Sequence, residues 1–154
     1  MIERDKCLYF KEGYKYWVNR PYHIKIEIHP KRNICLSFKT SDIYGNQVEI
    51  PLVTLDTKGN LIVYTAYVWD GASGPTWDTL NSMIGSLIHD VIYQLIRLGL
   101  IDDSYKTYAD QLLHDLCTAD GMWESRADYW QWAVKEFGTG SCRPSAEHQE
   151  MIAP

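Results

Sequence analysis

SLIHDVIYQLI (Ser86–Ile96) is the stretch on which the reading of the fold turns. With Ile84 included, its apolar residues Leu87, Ile88, Val91, Ile92 and Leu95 recur at three and four positions, one broad face of a helix. Two residues break the apolar character, His89 and Asp90. A carboxylate in such surroundings is costly unless something pairs with it. Neighbouring residues on a helix point about 100° apart, so His89 and Asp90 are expected to meet different partners.

Downstream the helical period continues. Asp78 is a candidate N-cap for a first helix running to about Leu98, with Gly99 as its stop. A second helix begins at Asp102 or Asp103 and ends at Gly121, and a third runs from about Glu124 to Phe137 before Gly138. The tail, 139–154, has no periodicity and reads as irregular. Upstream of residue 70 the period is two. HIKIEIH (His23–His29) and NICLSFK (Asn33–Lys39) alternate, and the turn-like HPKRN between them predicts a hairpin. LYF, YKYWV, QVEIPLVTL and NLIVYTAYVW extend the strand-like pattern, punctuated at Gly13, Gly45-Asn46 and Lys58-Gly59-Asn60. The fold class predicted is α+β: a small antiparallel sheet packed with three C-terminal helices, in a single domain spanning 1–154. Within it, 1–69 is strand-rich and 70–138 is a loop followed by the three-helix region.

The totals set bounds. A chain of 154 residues can bury a proper core, and 45% hydrophobic with 23% charged residues is ordinary for a globular protein. A net charge of −5 with scattered basic residues argues against nucleic acid as a partner. The start, MIERDKCLYF, is too charged for a signal peptide, and no apolar run reaches membrane-spanning length, so synthesis and folding in the cytoplasm are expected. Cys7, Cys35, Cys117 and Cys142 lie far apart without a C-x-x-C pair and read as buried free thiols.

The second helix bears Ala109, Leu112, Leu113 and Leu116 as its core stripe, with Asp110 and His114 at the border. A short GLIDDS connection makes the first two helices antiparallel neighbours, which puts Asp110 within reach of His89. A histidine whose second nitrogen is held by a carboxylate is an oriented general base. Tyr93 lies one turn from His89. Asp90 is expected to face WDGASGP (Trp69–Pro75), where glycines let the backbone fold tightly. Carbonyl oxygens of that loop with one or two carboxylates match the ligand preference of Ca²⁺. The same residues also read as a polar network that pins loop to helices, and His114 and Asp115 as a solvated helix face.

The order V-x-D-G-A-S-x-P, L-I-H-D-x-x-Y, A-D and A-V-x-x-F-G, from Val68 to Gly138, resembles a phage-associated domain-of-unknown-function family, number 1353. That resemblance implies a phage-encoded protein, in the host cytoplasm when synthesised and with the virion as a further candidate location, and supplies no activity. The H-D-x-x-Y motif followed by A-D also resembles the core of secreted and parvoviral phospholipase A2. This second resemblance implies a phospholipase A2-like helix pair with His89 as general base and Asp110 as its partner, supported by Tyr93. It also implies Ca²⁺ as cofactor, with Asp90 as a ligand and carbonyls around Asp70 and Gly71 completing the site. Two functions lead, ahead of a transition-metal hydrolase using His89, Asp110 and His114. One is a calcium-dependent ester hydrolase acting at a phospholipid membrane surface; the other is a non-catalytic virion or assembly protein that binds other phage proteins.

Overall fold

The computed structural model describes residues 3–4, 10–11, 16–71 and 78–143. The chain divides into two compact units, Met1–Asp70 and Gly71–Pro154. The fold is α+β, with antiparallel strands in the N-terminal half and three helices in the C-terminal half. No helix among the described residues is long and apolar enough to cross a membrane.

In the first unit the strands are β1 (Phe10–Lys11), β2 (Tyr16–Val18), β3 (Tyr22–Lys25), β4 (Ile34–Ser41), β5 (Gln47–Leu55), β6 (Asn60–Val63) and β7 (Val68–Trp69). They form two antiparallel sheets, of order β1-β2-β7 and β3-β6-β5-β4. The hairpin predicted from HIKIEIH and NICLSFK is not made. β3 pairs with β6, and β4 pairs with β5, so β3 and β4 lie at opposite edges of their sheet.

The physical reason lies in two turns with the same chemistry. In Asp42–Asn46 and Asp56–Asn60 the aspartate Oδ1 accepts from backbone N–H groups two and four residues on, and its Oδ2 accepts from the asparagine amide. Each turn places its glycine in the left-handed region, Gly45 at φ 82° and Gly59 at φ 85°. These closures fix β4–β5 and β5–β6 as hairpins, whereas HPKRN has no glycine to close so tightly. Ile26 and Ile28 keep the alternation and are buried although they lie outside the strand, so burial pattern alone does not specify the partner. NLIVYTAYVW likewise splits. A turn at 64–67 with Ala66 at φ 82° separates β6 from β7, and the two strands join different sheets. Pro51, which cannot donate to a ladder, sits beside a register irregularity at Leu36/Ser37.

The helices are α1 (Met83–Arg97), α2 (Lys106–Ala119) and α3 (Glu124–Phe137). α1 starts later than an N-cap at Asp78 implies, because a 3-10 turn, Leu80–Ser82, precedes it. There the Thr79 backbone N–H donates to Ser82 Oγ at 3.1 Å. Asp102 caps the next segment, a 3-10 turn at Asp103–Tyr105 leading into α2. α1 and α2 end alike. Gly99 (φ 66°) and Gly121 (φ 87°) are left-handed, and the residue after each, Leu100 or Met122, donates back to Leu95 or Cys117.

All six apolar residues of the predicted α1 stripe are buried, as are all four of α2. Gly85 sets how closely the two helices approach. A Cβ there would lie 2.7 Å from Cys117 Sγ and 3.1 Å from the Leu113 carbonyl oxygen. α3 closes the other side of α2 through a cluster of Leu113, Cys117, Met122, Ala127 and Trp130. A further 3-10 turn, Gly138–Cys142, follows α3 inside what read as an irregular tail.

Candidate functional site

α1 and α2 bring His89, Tyr93 and Asp110 together. The His89 Nε2–H donates to Asp110 Oδ1 at 3.0 Å, and the Tyr93 hydroxyl donates to the same oxygen at 2.6 Å. The spacing explains the convergence: His89 and Tyr93 are one turn apart on α1, so both reach a single residue of the facing helix. Their rings lie 3.9 Å apart between centroids. Asp110 is 1% exposed and His89 7%.

The second oxygen of Asp110 has its own donor, absent from the sequence reading. Lys106 Nζ donates to Asp110 Oδ2 at 2.8 Å. It also lies 3.4 Å from the Val134 carbonyl oxygen and 5.6 Å from the centre of the Tyr93 ring. The sequence signal was the i,i+4 spacing of Lys106 and Asp110 on an amphipathic helix. Gly138 leans on the same group, since a Cβ there would meet the Tyr93 hydroxyl at 2.7 Å.

Asp90 departs from expectation in one respect. Its Oδ1 lies 3.8 Å from His89 Nδ1, beyond hydrogen-bond reach but close enough to act on the ring's charge. His89 therefore has a carboxylate near each nitrogen, and the two adjacent side chains share an electrostatic field. Asp90 is partly exposed, unlike the buried Asp110. Asp70 ends the first unit and Gly71, at φ 77°, opens the second. The rest of the predicted calcium loop, 72–75, lies outside the described residues. His114, read as solvated, is turned into a contact with α3. Its Nε2 lies 3.1 Å from Asp128 Oδ1 and its Nδ1 3.2 Å from Asp115 Oδ1, away from the dyad's hydrogen bonds. Of the cysteines read as buried, Cys35 is exposed and Cys117 buried, and burial pushes the Cys117 thiol up to about 12. Cys7 lies outside the described residues.

The electrostatics follow from these contacts. Burial alone would raise the Asp110 carboxyl, but the donors from His89, Lys106 and Tyr93 outweigh it and hold the group below the usual carboxylate range. Burial alone would lower His89; the bond to Asp110 and the nearby Asp90 carboxylate outweigh it and raise the imidazole. Tyr93 is pushed up by burial and by its bond to Asp110, and stays a protonated donor.

Linkage gives these shifts opposite consequences for stability. With a raised folded value, the His89 contribution is complete below about pH 6.5, the unfolded value, and is lost as pH rises through the folded one. With a lowered folded value, the Asp110 contribution is complete above about pH 4 and is lost as pH falls through the folded one. Thermal unfolding from pH 3 to 9 is expected to show both limbs. In His89→Gln the alkaline limb should flatten; an unchanged alkaline limb would assign it to another group.

Calcium takes six to eight oxygen ligands. Among the described residues no group of three or more His, Cys, Asp or Glu side chains forms a metal-ligand set. Of the predicted ligands, Asp90 has its Oδ1 3.8 Å from His89 Nδ1. What the described residues do make is an oriented histidine. In neutral imidazole, donation from Nε2 to a carboxylate leaves the lone pair on Nδ1. No protein-family model, no curated protein and no solved structure matches this chain.

Proposed function

We propose that the protein is a phospholipase A2-like ester hydrolase in which His89 is the general base. The observation that carries this reading is the shared Asp110 Oδ1: one carboxylate oxygen receives both His89 Nε2–H and the Tyr93 hydroxyl, which leaves Nδ1 as the basic nitrogen, on the side of the partly exposed Asp90. His89 Nδ1 takes a proton from water as the water oxygen attacks the ester carbonyl. The imidazolium, stabilised by Asp110, then returns the proton to the departing alcohol oxygen, giving acid and alcohol. Tyr93 and Asp110 orient the ring and exchange no proton in either step.

Phospholipid as the substrate draws on the exposed aromatics of the helical unit. Trp123 at 82%, Phe137 at 74% and Trp132 at 50% exposure suit the apolar-to-polar boundary of a lipid surface. Calcium at Asp90 belongs to the same proposal, as does a phage origin, for which breaching a host membrane is a fitting task. The test is calorimetric titration with Ca²⁺ of wild type and Asp90→Ala, beside hydrolysis of phosphatidylcholine vesicles with and without chelator. Binding in wild type that the variant loses, together with chelator-sensitive hydrolysis, is the expected result. Absence of binding at millimolar Ca²⁺ removes calcium from the reading. Absence of hydrolysis under every condition favours the second one.

The second reading is a non-catalytic phage assembly protein, favoured by the β4–β5 hairpin. Its tip presents Ile43 at 92% and Tyr44 at 82% exposure, a surface suited to docking another phage protein. His89, Tyr93, Asp110 and Lys106 would then be a buried network that fixes α1 on α2.

A further inference from the structure

We propose that Lys106 is a positioning residue, which by occupying Oδ2 of Asp110 obliges Tyr93 and His89 to share Oδ1 and so holds the imidazole with Nδ1 turned towards Asp90. The functional meaning of this assignment rests on the dyad reading above; its geometric content does not. Asp110 has two oxygens and three donors around them, in a place almost closed to water. A carboxylate so placed turns until both oxygens are satisfied. With Lys106 fixed on Oδ2 at 2.8 Å, the plane of the carboxylate is set and Oδ1 is presented to α1.

Lys106 is itself held. Its ammonium lies 3.4 Å from the Val134 carbonyl oxygen of α3 and 5.6 Å from the Tyr93 ring centre. The side chain therefore links all three helices at the site: α2 carries it, α3 anchors it, and through Asp110 it decides where two side chains of α1 bind. Without it, Oδ2 lacks its ammonium donor, and rotation of the carboxylate lets Tyr93 and His89 take separate oxygens. The imidazole then keeps its Nε2–H, because either carboxylate oxygen only accepts, but loses the constraint that fixes one ring angle.

The experiment compares wild type with Lys106→Met and Lys106→Arg, each checked for folding by thermal melting, using ¹⁵N spectra of the histidine side chains. The His89 signal is assigned by its loss in His89→Gln. In wild-type protein at a pH where His89 is neutral, a single Nε2–H tautomer is expected, its proton slow to exchange. Lys106→Met is expected to keep that tautomer but to lose the slow exchange and shift the Nε2 signal, and Lys106→Arg to restore both. If the methionine variant does not fold, Lys106→Leu takes its place. A folded Lys106→Met or Lys106→Leu with the wild-type exchange and Nε2 signal overturns the proposal.

Where vesicle hydrolysis is measurable, the neutral variant should lower kcat by about tenfold or more with little change in KM, and arginine should recover most of it. A fall in kcat with unaltered Nε2 exchange and signal also overturns it. Because the spectra need no substrate, a failure of the hydrolase reading leaves the assignment of Lys106 separately decidable.

Discussion

Asp110→Ala is expected to destabilise the protein by about 3–5 kcal/mol, the usual cost of removing one partner from a buried charged network. Three donors lose their acceptor at once: the His89 ring, the Tyr93 hydroxyl and the Lys106 ammonium. Tyr93 is buried, and the Lys106 side chain is only 20% exposed, so water replaces the lost oxygens poorly. For a chain of this size the loss corresponds to a fall in Tm of about 10 °C. Asp110→Asn keeps the shape and one acceptor oxygen, and should fall between alanine and wild type. Thermal and urea unfolding of the two variants measure this directly. A change below about 1 kcal/mol in the alanine variant would mean that the three donors find other partners, and the network would lose its claim to structural weight.

His89→Gln is expected to lower vesicle hydrolysis by about 10²–10⁴, the span associated with a general base. Glutamine can still donate to Asp110, so the bond between α1 and α2 is retained while the basic nitrogen is lost. That separates chemistry from packing: stability near pH 7 should move far less than in Asp110→Ala, while activity disappears. Hydrolysis that survives in His89→Gln would remove His89 from the reaction. Activity lost in Asp110→Ala but kept in His89→Gln would point to packing as its cause.

The change of period near residue 70 was legible from local chemistry. Ile84, Leu87, Ile88, Val91, Ile92 and Leu95 can bury together only on a helix, and the structure buries each of them. Gly99 and Gly121 end their helices because a left-handed residue is needed there, a requirement written in one amino acid. The approach of His89 to Asp110 was legible for a related reason: a short connection between two amphipathic helices leaves few ways to face them.

What the sequence did not contain was the choice among equivalent partners. Alternation marked Ile24, Ile26 and Ile28 as inward-facing, yet it is the same for a strand beside β4 or beside β6. The two aspartate–glycine–asparagine turns settled that choice by closing β4–β5 and β5–β6 as hairpins. Lys106 was hidden likewise, because its spacing from Asp110 is also that of a solvated ion pair, and only the packing of α1 and α3 around it makes the contact part of the site. The place of Asp90 depended on side-chain rotamers, which bring Oδ1 to 3.8 Å from His89 Nδ1 although the two residues leave the helix in different directions. The amino-acid order thus determined the three helices, the glycine stops of the first two and the histidine–aspartate encounter, all of which rest on local backbone preference and periodic burial. Strand partners and the charges surrounding the imidazole were decided only in the tertiary structure, since both depend on which of several chemically equal neighbours the packed chain brings close.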